Sequence, residues 1–142
     1  MKRVFLSFAS EDSAIAHRFA ELWKAGGAVV FRFDDPQRGA GRVVEEIERR
    51  LAEADLFVAL VSPSYLASGW CGQERDLAIH SVNENSKPSI HVIEVAETSP
   101  AETGMLRIYH WLDATGDLPS RRLTEISAAL GLDGSSGTGA DD

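Results

Sequence analysis

Six consecutive apolar residues, Leu56-Phe57-Val58-Ala59-Leu60-Val61, leave this chain few structural solutions. The run is too short for a membrane span and lacks polar alternation, so it predicts a strand covered on both faces, as in parallel sheets. Ser62-Pro63 stops it, and Ser68-Gly69 punctuates the loop that follows. From Trp70 to His80 the pattern predicts a helix with Trp70, Leu77 and Ala78 on one side. Glu74 follows Trp70 by one helical turn on the same face. Both stand just past the carboxyl end of a buried strand, where open α/β sheets bind ligands. Glu74 is the leading candidate for chemistry, expected at a cleft and outside the core.

Strand and helix patterns alternate along the rest of the chain. Val4 to Phe8 predicts a first strand, and Asp12 or Ser13 caps the helix carrying Ile15, Phe19, Leu22 and Trp23 on one stripe. Gly26-Gly27 ends that helix. A second strand over Ala28 to Phe33 runs into a loop rich in charge, Pro and Gly, Asp34 to Gly41. Val44, Ile47, Leu51 and Ala54 mark the buried face of the next helix. After the Glu74 helix come a polar break (Asn83 to Pro88), a fourth strand (Ser89 to Val95) and a loop (Ala96 to Gly104). A fifth strand is predicted over Leu106 to Leu112, and Pro119 opens a last helix with Leu123, Ile126 and Leu130 inward. Five such alternations imply an α/β fold with a parallel sheet and right-handed crossovers. Residues 1–131 form one domain on this reading, and 132–142 a flexible Gly/Ser/Asp linker or tail, as if the chain were one module of a longer protein.

Composition narrows the function. The chain has 142 residues, an apolar share of 44% and a net charge of -8, which together describe a globular domain and argue against a nucleic-acid binder. Arg49-Arg50 and Arg121-Arg122 read as solvated helix faces. With Cys71 alone no intrachain disulfide forms, consistent with a reducing, cytoplasmic setting, and its position suits packing better than nucleophilic work. No run approaches membrane-spanning length, and His17, His80, His91 and His110 lack metal-ligand spacing. A phospho-acceptor receiver would need an Asp ending the third strand and a Lys ending the fifth. Here the third strand ends Leu60-Val61-Ser62 and no Lys follows Lys87. A dinucleotide-binding unit would need glycines after the first strand, and Phe8-Ala9-Ser10-Glu11-Asp12 has none.

Three segments in order resemble the TIR (Toll/interleukin-receptor/resistance) family over about residues 3 to 130. Val4 to Phe8 with Ser10-Glu11-Asp12 resembles its opening box, and Asp34 to Gly41 occupies the place of its BB loop. Leu60 to Tyr65 and then Ser68 to Glu74 resemble the segment bearing the catalytic glutamate in TIR domains that cleave NAD+. The resemblance implies a flavodoxin-like three-layer fold with five parallel strands. It implies Glu74 as the catalytic acid, Trp70 as the aromatic one turn before it, and Phe8, Ser10, Asp34 and Arg38 as residues lining or bordering the nucleotide cleft. Trp70 alone fits core packing as well as a ligand platform, and Asp34 and Asp35 suit a turn. Ala9 stands where some enzymatic members carry a basic residue, and Pro36 is followed by Gln37 where receptor-type loops carry Gly.

The implied activity is an NAD+ glycohydrolase that releases nicotinamide with ADP-ribose or a cyclic ADP-ribose. It would need no cofactor or metal, since NAD+ is the substrate. Its partners would be other TIR domains, through self-association that activates it in immune or defence signalling, and a sensor domain beyond the linker, with no nucleic acid or membrane contacted. The alternative is a non-catalytic TIR interaction module docking through the Asp34 to Gly41 loop and its helix faces. Cleaving the nicotinamide bond builds oxocarbenium character on the ribose while a neutral molecule departs, so one carboxylate facing the developing charge suffices. A glutamate early in a helix is also favoured in its ionised form.

Overall fold

The computed structural model describes residues 1–32 and 43–132. The order of elements is β1 (Arg3–Ser7), α1 (Ser13–Ala25), β2 (Val29–Phe31), α2 (Val43–Glu53), β3 (Leu56–Val61), α3 (Pro63–Ala67), α4 (Gly69–Asn85), β4 (Ser89–Glu94), α5 (Pro100–Thr103), β5 (His110–Asp113) and α6 (Ser120–Ala129). All pairings are parallel, in the order β2-β1-β3-β4-β5. This is the flavodoxin-like arrangement expected of the sequence. β3 lies at its centre and every one of its residues is buried, as the unbroken apolar run requires.

Alternate strand residues feed two cores. Val4, Leu6, Leu56, Val58, Leu60 and Ile93 face α1 and α6, where Phe19, Trp23, Leu123 and Ile126 cover them. Phe5, Phe57, Ala59, Val61 and Val92 face the other way, against Ile47 and Leu51 of α2, Tyr65 of α3, and Trp70, Cys71 and Ala78 of α4. Each large side chain taken wholly from water in this way contributes about 1.5–3 kcal/mol. Trp23 keeps its polar atom satisfied: its indole N–H donates to Ser127 Oγ at 2.8 Å, and Ser127 donates onward to the Leu123 carbonyl at 2.9 Å. Gly27 and Gly131, at φ +99° and +72°, allow the chain to leave α1 and α6 in the left-handed conformation that other residues avoid.

Several boundaries differ from the sequence pattern. β1 ends at Ser7, leaving Phe8 half-buried beyond it, and β2 spans only Val29–Phe31 among the described residues. Val44 is exposed, because burial of α2 against the sheet begins only at Ile47. α4 runs to Asn85, where Ser86 at φ 62° ends it. The segment read as a loop before Gly104 contains α5, started by a capping box in which Ser99 and Glu102 satisfy each other's backbone N–H. The predicted fifth strand starts four residues late. Gly104–Ile108 instead forms a 3-10 turn that drives Leu106 into the core, and pairing with β4 begins only where His110 meets His91. Asp12 precedes α1, but its carboxylate makes no cap bond there; it turns to β3 instead.

Candidate functional site

The carboxyl ends of β1 and β3 open into a cleft of roughly 360 Å³ lined by Ala9, Ser10, Glu11, Ser64, Ala67, Ser68 and Gly69. Its two walls are the β1–α1 connection and the α3–α4 corner. The second wall owes its shape to two serine caps. Ser62 Oγ accepts from the Tyr65 N–H at 3.1 Å to start α3, and Ser68 Oγ accepts from the Cys71 N–H at 3.2 Å to start α4. Pro63 sits in the first turn of α3, where its missing N–H costs nothing. Ser62 also donates to Asp12 at 2.6 Å, which joins the two walls.

Glu74 lies one turn and a half into α4 and is 2% exposed, so it is buried and is not among the residues lining the cleft, where the sequence suggested it would stand. Ser7, the last residue of β1, is bonded to it there. Ser7 Oγ donates to Glu74 Oε1 at 2.7 Å and lies 2.9 Å from the Tyr65 hydroxyl. Ser7 and Tyr65 are both fully buried. Burial, and after it the neighbouring Cys71, push the Tyr65 phenol far above its ordinary range; the bond to Ser7 pulls the other way without reversing this. The Arg75 guanidinium stands over the Tyr65 ring, 5.4 Å from its centroid.

The remaining sequence candidates separate. Trp70 is 8% exposed and packs in the core on the α4 side of the sheet, beside Cys71. Phe8 is half-buried against the α1/α6 core, and Ser10 is exposed in the cleft wall, 3.4 Å from the Glu11 carboxylate. Asp34 and Arg38 lie outside the described residues. The sequence reading missed Ser7, Tyr65, Ser62 and Asp12. The available signals were a serine closing an otherwise apolar strand and a Ser-Pro start to α3. A larger groove of about 430 Å³ lies at the opposite, amino end of β3 and β4, where Lys87 pairs with Asp55 at 3.4 Å, far in the fold from Glu74. Among the described residues no group of three metal-binding side chains occurs and no helix is long and apolar enough to cross a membrane.

Residues 4–129 match the family described as the TIR domain. The chain belongs to the TIR family. No curated protein matches it in sequence. Among solved structures, it is similar to the TIR domains of the activated Roq1 resistosome directly recognising the pathogen effector XopQ, with TM-score 0.55 and 23% identity. That likeness covers 71% of this chain and 61% of the other, so this TIR domain spans about three fifths of that chain's length. It is also similar to the Clostridium botulinum CMP N-glycosidase BcmB, with TM-score 0.54 and 18% identity over 89% of this chain and 99% of that one. At these identities the likeness concerns the fold.

Proposed function

We propose that this TIR domain is an NAD+ glycohydrolase with Glu74 as its catalytic acid. The observation that carries the reading is one carboxylate, Glu74, fixed by Ser7 at the carboxyl ends of β1 and β3, beside a cleft in a TIR fold. In the reaction the bond between the pyridinium nitrogen and C1′ of the ribose breaks, and its electron pair stays with nicotinamide, which leaves neutral. The positive charge left on the sugar faces the Glu74 carboxylate. Water then adds to C1′ and loses a proton, giving ADP-ribose, or a ring nitrogen of the adenine adds instead and closes a cyclic product. No general acid has to protonate the leaving group, so a second placed carboxylate is not needed. Removing such electrostatic stabilisation commonly costs about 10²–10³ in rate.

Two further features support this reading. One structural neighbour is named as an N-glycosidase, and cleavage of an N-glycosidic bond is the reaction class proposed here. Another is the TIR assembly of a resistosome that recognises a pathogen effector, which fits a cytoplasmic role in defence signalling through contacts between TIR copies. Trp70, Phe8, Ser10, Asp34 and Arg38 remain the proposed substrate contacts, with NAD+ as substrate and no other cofactor. A second reading, a non-catalytic module that only docks other TIR domains, draws on the burial of Glu74. The deciding experiment incubates the domain with NAD+ and follows nicotinamide and the nucleotide product by mass spectrometry, beside the Glu74→Gln variant. Nicotinamide release that disappears in the folded variant is expected. Absence of release from the wild type at any protein concentration would leave the docking module.

A further inference from the structure

We propose that Ser7 and Tyr65 are positioning residues for Glu74, a one-way chain of donors running Tyr65 O–H to Ser7 Oγ and Ser7 O–H to Glu74 Oε1. The direction follows from counting protons. A serine hydroxyl has one, and the 2.7 Å contact to the carboxylate uses it. The 2.9 Å contact between Ser7 and Tyr65 is then donated by the phenol. Tyr65 is suited to that duty because it is fully buried and stays protonated throughout the working pH range.

The chain draws on three elements: β1 supplies Ser7, and the consecutive helices α3 and α4, far from β1 in sequence, supply Tyr65 and Glu74. Each donor is anchored in turn. The Tyr65 backbone is held by the Ser62 cap, Ser62 is held by Asp12, and the Tyr65 ring lies under Arg75. The titratable and charged groups acting on the phenol are Cys71, Glu74 and Arg75, all on α4. A short bond from a neutral hydroxyl to an ionised carboxylate is stronger than one between neutral groups, and serial donors strengthen each other. The arrangement fixes the carboxylate's rotamer and favours its charged form. The proposal rests on the assignment of Glu74 as the functional acid.

The test follows the Glu74 carboxyl directly, by ¹³C NMR titration of glutamate-labelled protein, and in parallel the pH profile of nicotinamide release. The variants are Ser7→Ala, Tyr65→Phe, Ser7→Thr and the double Ser7→Ala/Tyr65→Phe, each checked for folding by circular dichroism. Ser7→Ala is expected to move the Glu74 titration, and the acid limb of kcat/KM with it, upward by about one unit or more. Tyr65→Phe moves both in the same direction by less, and Ser7→Thr restores the wild-type values. The double variant moves no further than Ser7→Ala alone, because the donors act in series. Should Ser7→Ala fail to fold, Tyr65→Phe and Ser7→Thr decide. An unchanged Glu74 titration in the folded variants, or additive shifts in the double, overturns the proposal. If the wild type releases no nicotinamide, the NAD+ reading fails while the titration still decides the donor chain.

Discussion

Ser62 at the end of β3 donates to the carboxylate of Asp12 just before α1, across 2.6 Å, and the same oxygen caps α3 by accepting from the Tyr65 N–H. One hydroxyl therefore fastens both walls of the cleft to the sheet. Parallel strands place their carboxyl ends side by side, and the loops leaving them have no ladder to bind them. A bond across the two loops does what pairing cannot.

Replacing Ser62 by Ala removes a cap and a charge-assisted bond together, so unfolding free energy is expected to fall by about 1–3 kcal/mol in urea titrations. Asp12→Ala removes only the second. In a double-mutant cycle the two changes should couple, since they delete one shared bond. Strict additivity would show that the contact contributes nothing.

Ser127 makes a sharper case, because its partner lies wholly in the core. Ser127→Ala leaves the Trp23 indole N–H buried without its acceptor, and the expected cost is about 1–3 kcal/mol with little change in the m-value. Trp23→Phe in the Ser127→Ala background removes the orphaned donor. A double variant no less stable than expected from the indole's lost area confirms that the hydrogen bond, and not packing at Ser127, sets the penalty.

Much of the fold was legible because its determinants are local. The six apolar residues of β3 could only be a doubly covered strand, and the alternation around it fixed the layering. What escaped the sequence depends on partners distant in the chain. Leu106 reads as a strand residue by type, yet a core vacancy beside α4 takes it and delays β5 to His110. Val44 has the right spacing for burial but lies ahead of the sheet's cover. Glu74 stands out as a candidate by its place after a strand, whereas its depth was not legible. Ser7 bonds to Tyr65 across 58 residues and to Glu74 across 67, which no local pattern encodes.

The paired strands β4 and β5 bring His91 and His110 together, Nδ1 to Nδ1 at 2.9 Å, with Ser89 Oγ 2.9 Å from His91 Nε2. Burial, then His110, then Lys2 lower the His91 pKa, so the folded state binds this proton less readily than the unfolded chain. Stability is then complete above the unfolded value of about 6.5 and declines as pH falls through the window between it and the lowered folded value. His91→Gln should flatten the slope of Tm against pH in that window while leaving the curve above pH 7 nearly parallel. An unchanged slope would assign the pH dependence to other groups.

Glu74 also predicts how activity should depend on protein concentration. At 2% exposure its carboxylate is closed to solvent in a single chain, and a ribose cannot approach what water cannot reach. The competent arrangement must then be a less populated one that opens a path to Glu74 with its Ser7 bond kept, and turnover is reduced by the fraction of molecules that hold it. A second copy that binds only the competent arrangement raises that fraction by mass action. Specific activity toward NAD+ is therefore expected to climb with concentration, and to rise further when a fused tag forces oligomers. Glu74→Gln should stay inactive throughout, which separates assembly from chemistry. Full turnover in a sample shown to be monomeric by light scattering would mean that one chain exposes Glu74 by its own motion, and that contacts between copies serve signalling alone.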